Sequence, residues 1–332
     1  MPRVSINVVT FNSADRIDGC LRSVAAQTLS DYEITVIDNA STDATLDRLA
    51  TWERRGVRVI ANTTNAYYAR GHNQALRETA GEIVLTLNPD VVIRSDYLAS
   101  VVAIFDRFPG VGSVNGKLLL VPPGGLGPAL TRQPVDPDAL VDGTGLVISR
   151  GRRPALRGNR QLAATHCLDP AEIFGVDGAC AAYRRAMLDK IAIDGEVFDE
   201  DFAIYREDVD LAWRAQLLGW ESRYEPSAVG YHVRRFHVGQ RRREIPPDLK
   251  RHSVKNGWLL LLKNDDPGSL LRDLPHILPY QLKILTGLVT IEPTSLGAIA
   301  DTVRLLPRMR RKRAWIHERR RRSPTEMRRW FA

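Results

Sequence analysis

Residues 4–43 read VSINVVTFNSADRIDGCLRSVAAQTLSDYEITVIDNASTD, and their alternating pattern decides the fold class. Val4–Thr10 is a short, nearly all-apolar run of the kind that fills a strand buried on both faces. Arg16–Leu29 follows as a helix, with Ile17, Leu21, Val24 and Ala25 on one side. Glu33–Ile37 reads as a second strand closed by Asp38-Asn39, and Ser41-Thr42-Asp43 offers N-cap side chains for a helix through about Arg55. Outward from there, Val57–Ile60 and Glu82–Leu87 read as further strands around a helix over Gly71–Thr79. Strands alternating with helices predict an α/β domain with a mainly parallel sheet, Rossmann-like, covered by helices on both faces. Ligands of such sheets bind beyond the strands' carboxyl ends. Asp38 and the Asn88-Pro89-Asp90 turn both fall there, so one crevice should collect them.

Composition narrows the function classes. Three separated cysteines without a CxxC pair argue for a reducing compartment and against a disulfide framework or a zinc site. The formal net charge of +8 is local: residues 304–332 hold twelve Lys or Arg against two Glu, while the rest of the chain nearly balances. The first strand starts almost at the initiator Met, so no signal peptide is expected. The most apolar stretch, Leu270–Ile291, is interrupted by charges and prolines, which suits it to lie on a membrane and not to cross one.

The middle of the chain is less regular. Residues 122–160, rich in Gly, Pro and Arg, read as a mobile loop with a hairpin around Gly143–Arg153. Phe174–Tyr183 reads as a further strand. The stretch VFDEDFAIYREDVDLAWRAQLLGW crowds six carboxylates between Asp199 and Asp210 and then turns amphipathic, with Gly219 ending the helix. Glu207 and Asp208 fall in its first turn, where the helix dipole favours negative charge. Helical neighbours point about 100° apart, so Glu207, Asp208 and Asp210 cannot all face one crevice, and periodicity does not say which does. For Asp210 an i,i+4 pair with Arg214 is the better reading. Asp38 suits either a ribose contact or a helix cap. Asp90 suits either the crevice or a turn closed by Pro89. Asn65–Asn73, with Arg70 and Gly71, suits an anionic group. A basic run at Arg234–Arg243 leads to Pro246-Pro247, a plausible boundary. Two helical patterns and the arginine tail follow it.

The order of VSINVVTFN, VIDNASTDAT, NPDVV, GVDGACAAYRRAML, FDEDFAIYREDVDLAWRAQLLGW and PSAVGYH resembles the family 2 glycosyltransferases, most closely their bacterial rhamnosyltransferase-like branch. The likeness runs from Val4 to His232. It implies a GT-A domain over residues 1–240; the helical patterns beyond it mark a helical region at 245–303, suited to lie against a membrane, and the composition an Arg-rich amphipathic tail at 304–332. It implies an inverting, metal-dependent hexosyltransferase. Thr10, Asn12, Asp38 and Asn39 would hold base and ribose, and Arg70, Asn73 and Asn88 would complete the donor site. Asp90 and His232 would meet Mg2+ or Mn2+, and Asp208 would be the base, with Glu207 beside it. Asn88 stands in place of the first acid of that family's Asp-x-Asp, and Arg70 where a small residue is common. The implied donor is a nucleotide sugar, with dTDP-rhamnose ahead of UDP-galactofuranose, UDP-glucose or UDP-N-acetylglucosamine. The implied acceptor is a lipid-linked or polysaccharide glycan. A cytoplasmic protein, peripheral on the inner face of a bacterial membrane through its cationic and aromatic tail, fits that acceptor; no nucleic-acid partner is expected. A catalytically silent docking protein on the same fold is the rival of another class.

Overall fold

The computed structural model describes residues 1–122, 128–131, 135–234 and 245–331. The chain opens with β1 (Val4–Thr10), α1 (Ile17–Ala25), β2 (Tyr32–Asp38), α2 (Thr45–Glu53), β3 (Arg58–Ala61), α3 (Tyr67–Arg77) and β4 (Ile83–Leu87). The four strands pair in parallel in the order β3-β2-β1-β4. Side chains of β4 alternate between two cores: Ile83, Leu85 and Leu87 join α1 and α2 on one face, and Val84 joins the other. That alternation is what a strand between two helix layers requires.

β5 (Val91–Ile93), α4 (Tyr97–Arg107) and β6 (Val111–Leu120) come next. The ten residues of β6 include Gly112, Asn115, Gly116 and Lys117, so no clean hydrophobic period marks it, yet it is buried almost throughout. Gly116 is needed there: a Cβ would lie 2.2 Å from the carbonyl oxygen of Ala228. β7 (Val141–Gly143) pairs with β6, and β8 (Leu146–Ile148) with β9 (Pro154–Leu156) forms the hairpin expected near Gly143–Arg153. That hairpin is fastened, because Arg152 reaches Asp265 at 2.6 Å and Asp273 at 2.9 Å. Residues 123–127 and 132–134 of the expected loop, and 235–243 of the basic run, lie outside the described residues.

The single strand expected at Phe174–Tyr183 is instead two, β10 (Ala171–Ile173) and β11 (Cys180–Arg184). They part at Asp177-Gly178, where the chain turns toward the ligand side. β11 lies antiparallel between β4 and β6. α5 (Arg185–Ile191), α6 (Glu207–Leu217) and β12 (Glu221–His232) complete the sheet, with β12 parallel to β6. The result is a mixed α/β domain with a mainly parallel central sheet.

The C-terminal part is helical: α7 (Pro247–Asn264), α8 (Pro267–Thr290), α9 (Gly297–Arg319) and α10 (Pro324–Met327). Leu259, Leu260, Met309, Ile316, Met327 and Phe331 bury themselves in the same core as Val84, Tyr183 and Trp213. Met309, Ile316, Met327 and Phe331 of the tail expected to lie on a membrane are therefore part of the protein's own interior.

Candidate active site

At the carboxyl ends of β1, β2 and β4 lies a hollow of about 560 Å³, lined in part by Thr10, Asn12, Asn39, Asn88, Asp90 and His232. Six of the predicted donor and metal residues thus share one cavity. Thr10 and Asn39 end parallel neighbours, with the Asn39 amide donating to the Thr10 carbonyl at 2.8 Å. The Thr10 hydroxyl is buried without a partner, an acceptor and donor left for a ligand. Asn12 takes a left-handed backbone (φ 49°) and accepts the Thr42 amide through its side chain at 2.8 Å.

The opposite wall is charged. His232 ends β12 with Nε2 at 3.3 Å from Asp90 Oδ1, while Nδ1 lies 2.8 Å from Asp142 Oδ2. Burial works against protonating this imidazole, but the two carboxylates prevail and its pKa is pushed up to about 9. Arg234, gripped by Asp142 through Nη2 at 3.0 Å, lines the cavity alongside. Arg16 approaches Asp90 Oδ2 at 3.8 Å. Asp142 itself is pushed up by burial and brought below the usual carboxylate range by His232 and Arg234.

Asp208 stands at the edge and is not one of the lining residues. Its Oδ2 accepts the Gly178 amide at 3.2 Å, and Tyr68, which does line the cavity, donates to the Gly178 carbonyl at 2.7 Å. Burial first, and Asp177 second, raise the Asp208 pKa to about 6. Three residues on the cavity wall, Asn12, Tyr67 and Tyr205, hold positive φ without being glycine, and Arg206 does so just before α6. Such strain is typically maintained at functional positions. Asn256 of α7 stabilises it by donating to the carbonyls of Phe202, Ile204 and Tyr205.

Besides Asp208, four predicted residues do not line the cavity. Asp38 is fully buried, with both oxygens on Ser41 (Oγ at 2.5 Å, amide at 2.9 Å), so they are engaged in the turn after β2; it caps no helix, since α2 starts at Thr45 with Ala44 as its N-cap. Asn73 ties α3 to Phe198 through the backbone amide and carbonyl of that residue. Arg70 is mostly exposed, 3.5 Å from Glu200. Glu207 points inward, its Oε2 buried without a partner and its pKa raised well above the ordinary value by burial and then by Asp208. It lies away from the cavity lining. Asp210 pairs with Arg214 at 2.9 Å, the spacing-based expectation. The missed residues are Asp142, Asp177, Arg234 and Tyr68. Asp142 falls in a stretch without periodicity, while the Asp177-Gly178 turn carried a usable signal in GVDG.

A wall that offers the Asn88 and Asp90 oxygens suits a hard divalent cation that arrives with a diphosphate, since such ions bind through one or two carboxylates plus substrate phosphates. Among the described residues no cluster of three His, Cys, Asp or Glu would cage a metal unaided.

Sheet order and the position of the cavity at the strands' carboxyl ends are those of the GT-A fold. GalNAc-T7 solved with UDP, GalNAc and Mn2+ superposes with a TM-score of 0.60 at 13% identity, covering 79% of this chain and 48% of that one. Staphylococcus aureus TarS 1-349 in complex with UDP-GlcNAc gives 0.54 at 18% identity, covering 96% and 87%. Residues 5–117 match the model of Glycosyl transferase family 2. An N-acetylglucosaminyl-diphospho-decaprenol L-rhamnosyltransferase of Mycobacterium tuberculosis is 28% identical over 249 residues, spanning 70% of this chain and 76% of that protein. An uncharacterised Sinorhizobium fredii protein is equally similar, but the chain spans only 24% of its length.

Proposed function

We propose that the protein is an inverting glycosyltransferase that moves L-rhamnose from dTDP-rhamnose to a hydroxyl of a lipid-linked or polysaccharide acceptor. The observation that carries transfer from a nucleotide sugar is the cavity with a polar, partly unsatisfied wall at Thr10 and Asn39 and a cationic wall at His232 and Arg234. The rhamnose and the lipid carrier rest on the mycobacterial relative's name. UDP-linked sugars are the alternative donors.

Thr10, Asn12 and Asn39 would orient the nucleoside. Asn88 and Asp90 would hold Mg2+ or Mn2+, which when bound acts as a Lewis acid on the diphosphate. His232 Nε2 has two uses: a donor to a diphosphate oxygen while protonated, or a cation ligand after losing that proton. Asp142 fixes the ring for either. Arg234 adds positive charge where the leaving group gains negative charge. Asp208 would take the proton from the acceptor hydroxyl as its oxygen attacks the anomeric carbon and the bond to the diphosphate breaks. A single displacement inverts that centre.

A panel of nucleotide sugars with magnesium, read by thermal shift and by transfer, tests this. The donor should raise the melting temperature. Asp208→Asn should lower transfer by about two to four orders of magnitude, with the thermal shift retained. Transfer by Asp208→Asn at the wild-type rate would remove the base, and the absence of any stabilising nucleotide sugar would remove the function.

A further inference from the structure

We infer that the elbow between α8 and α9 is an interfacial membrane anchor. Leu271, Leu274, Leu278, Leu282, Leu285 and Val289 recur at helical spacing along the outer face of α8, and all are exposed, Leu271 by 73% and Val289 by 67%. Ile291 (77%), Leu296, Ile299 and Val303 carry the apolar surface round the bend onto α9. The inner face of α8 is already used, with Ile277 and Leu288 buried. A contiguous apolar stripe of this length exceeds what an isolated soluble surface usually shows. The two helices meet at 112°, and no single helix among the described residues is long and apolar enough to cross a bilayer.

Charge identifies the occupant. Between Pro267 and His317 there are three carboxylates, and each is turned inward or neutralised. Asp273 is held by Arg150 and Arg152, Glu292 by Lys250 at 3.6 Å, and Asp301 by Arg251 at 2.6 Å. Lys283, Arg304, Arg308 and Arg310 are exposed around the stripe. The outward surface is therefore apolar and cationic, which matches the boundary of an anionic bilayer: acyl chains for the leucines, phosphates for the rim. A second copy of the chain would bring cations against cations.

The elbow also lies next to the cavity mouth. Asp248 and Leu249 line the hollow, and their chain neighbours Lys250 and Arg251 are the residues that grip Glu292 and Asp301. A protein seated on lipid through the elbow would hold its cavity near the headgroups, which gives the anchor a purpose under the lipid-linked acceptor reading, though the docking itself does not depend on it.

The test is co-sedimentation of the full chain with vesicles of phosphatidylglycerol and phosphatidylcholine. Leu278→Asp/Leu282→Asp replaces exposed side chains only, so the melting temperature should stay unchanged while binding weakens about tenfold or more. Lys283→Glu/Arg310→Glu should weaken binding to the mixed vesicles and leave phosphatidylcholine alone unaffected. Vesicle binding that is lost in the leucine variant supports the anchor even if no nucleotide sugar is ever turned over. Wild-type binding by both variants, or a solution dimer that the leucine variant dissociates and that ignores vesicles, would overturn it.

Discussion

Asp208 and Glu207 are adjacent on the first turn of α6, and burial is the first cause that raises the pKa of each, but it is Asp208 that touches the Gly178 turn beside the cavity. Its pKa of about 6 comes first from burial and then from Asp177. If Asp208 is the base, transfer should fall below about pH 6 with a single-proton dependence in kcat/KM. Asp177→Asn removes the neighbouring charge, so the midpoint should move to lower pH while the plateau persists. A midpoint that ignores Asp177 would detach the pH limb from Asp208. The same shift bears on stability with the opposite sense. Between the model-compound value of 3.8 and about 6 the folded state holds the proton more tightly than the unfolded state, so stability declines as pH rises through that window. At neutral pH the penalty is on the order of 3 kcal/mol. Asp208→Asn should therefore raise the melting temperature at pH 7 and lose that gain below about pH 4, a pattern that denaturation at both pH values would reveal.

α6 packs against the connection between β10 and β11 because Gly175 there carries no side chain. A Cβ on Gly175 would lie 2.2 Å from the Ala212 Cβ of α6. Gly175→Ala must push the helix away, costing about 1–3 kcal/mol and moving Asp208 off the Gly178 amide. The expected outcome is a lower melting temperature with transfer reduced more than donor binding. Equal loss of both would point to global damage. Such close approaches explain what the sequence conveyed and what it withheld. The parallel half of the sheet was legible because β1, β2 and β4 are buried on both faces and read as apolar runs. β6 was not, since a strand that must admit Ala228 against Gly116 and use Asn115 to hold the Asp177 amide carries no period. Thr10, Asn12, Asn39, Asn88, Asp90 and His232 could be placed from strand ends and motif order. Asp142 could not, because its role depends on β7 pairing with β6, a long-range contact with no local mark. Asp38 was ambiguous in sequence because a strand-terminal acid serves a ribose and a cap with the same oxygens.

At the scale of the whole molecule, the basic tail is a structural member before it is anything else. Lys312 of α9 is 1% exposed and donates to Asp199 at 2.6 Å and Asp201 at 2.9 Å. Asp199 also accepts from Lys263 of α7, which in turn reaches Asp210 of α6 at 2.8 Å. Two lysines from the C-terminal helices thus neutralise carboxylates that the acidic stretch before and within α6 buries. Burial alone would raise the Asp199 pKa, yet the two ammonium groups hold it well below the usual range. A carboxylate with a depressed folded pKa stabilises above its unfolded value and loses that contribution as pH falls, so acid should loosen the tail from the domain. Removing one partner leaves buried charge uncompensated, which typically costs about 3–5 kcal/mol, a large share of a stability of about 5–15 kcal/mol. Lys312→Ala should therefore lower the urea midpoint steeply, whereas Arg310→Ala, on the exposed side of the same helix, should leave it within error. Truncation after Leu306 goes further, since it deletes Met309, Lys312, Ile316, Met327 and Phe331 together. The shortened chain should fail to fold or should aggregate with and without lipid, so its behaviour on vesicles would report a lost core and not a lost anchor. A truncated protein that keeps its melting temperature would show that the domain is complete without α9, and the buried lysine would then be dispensable.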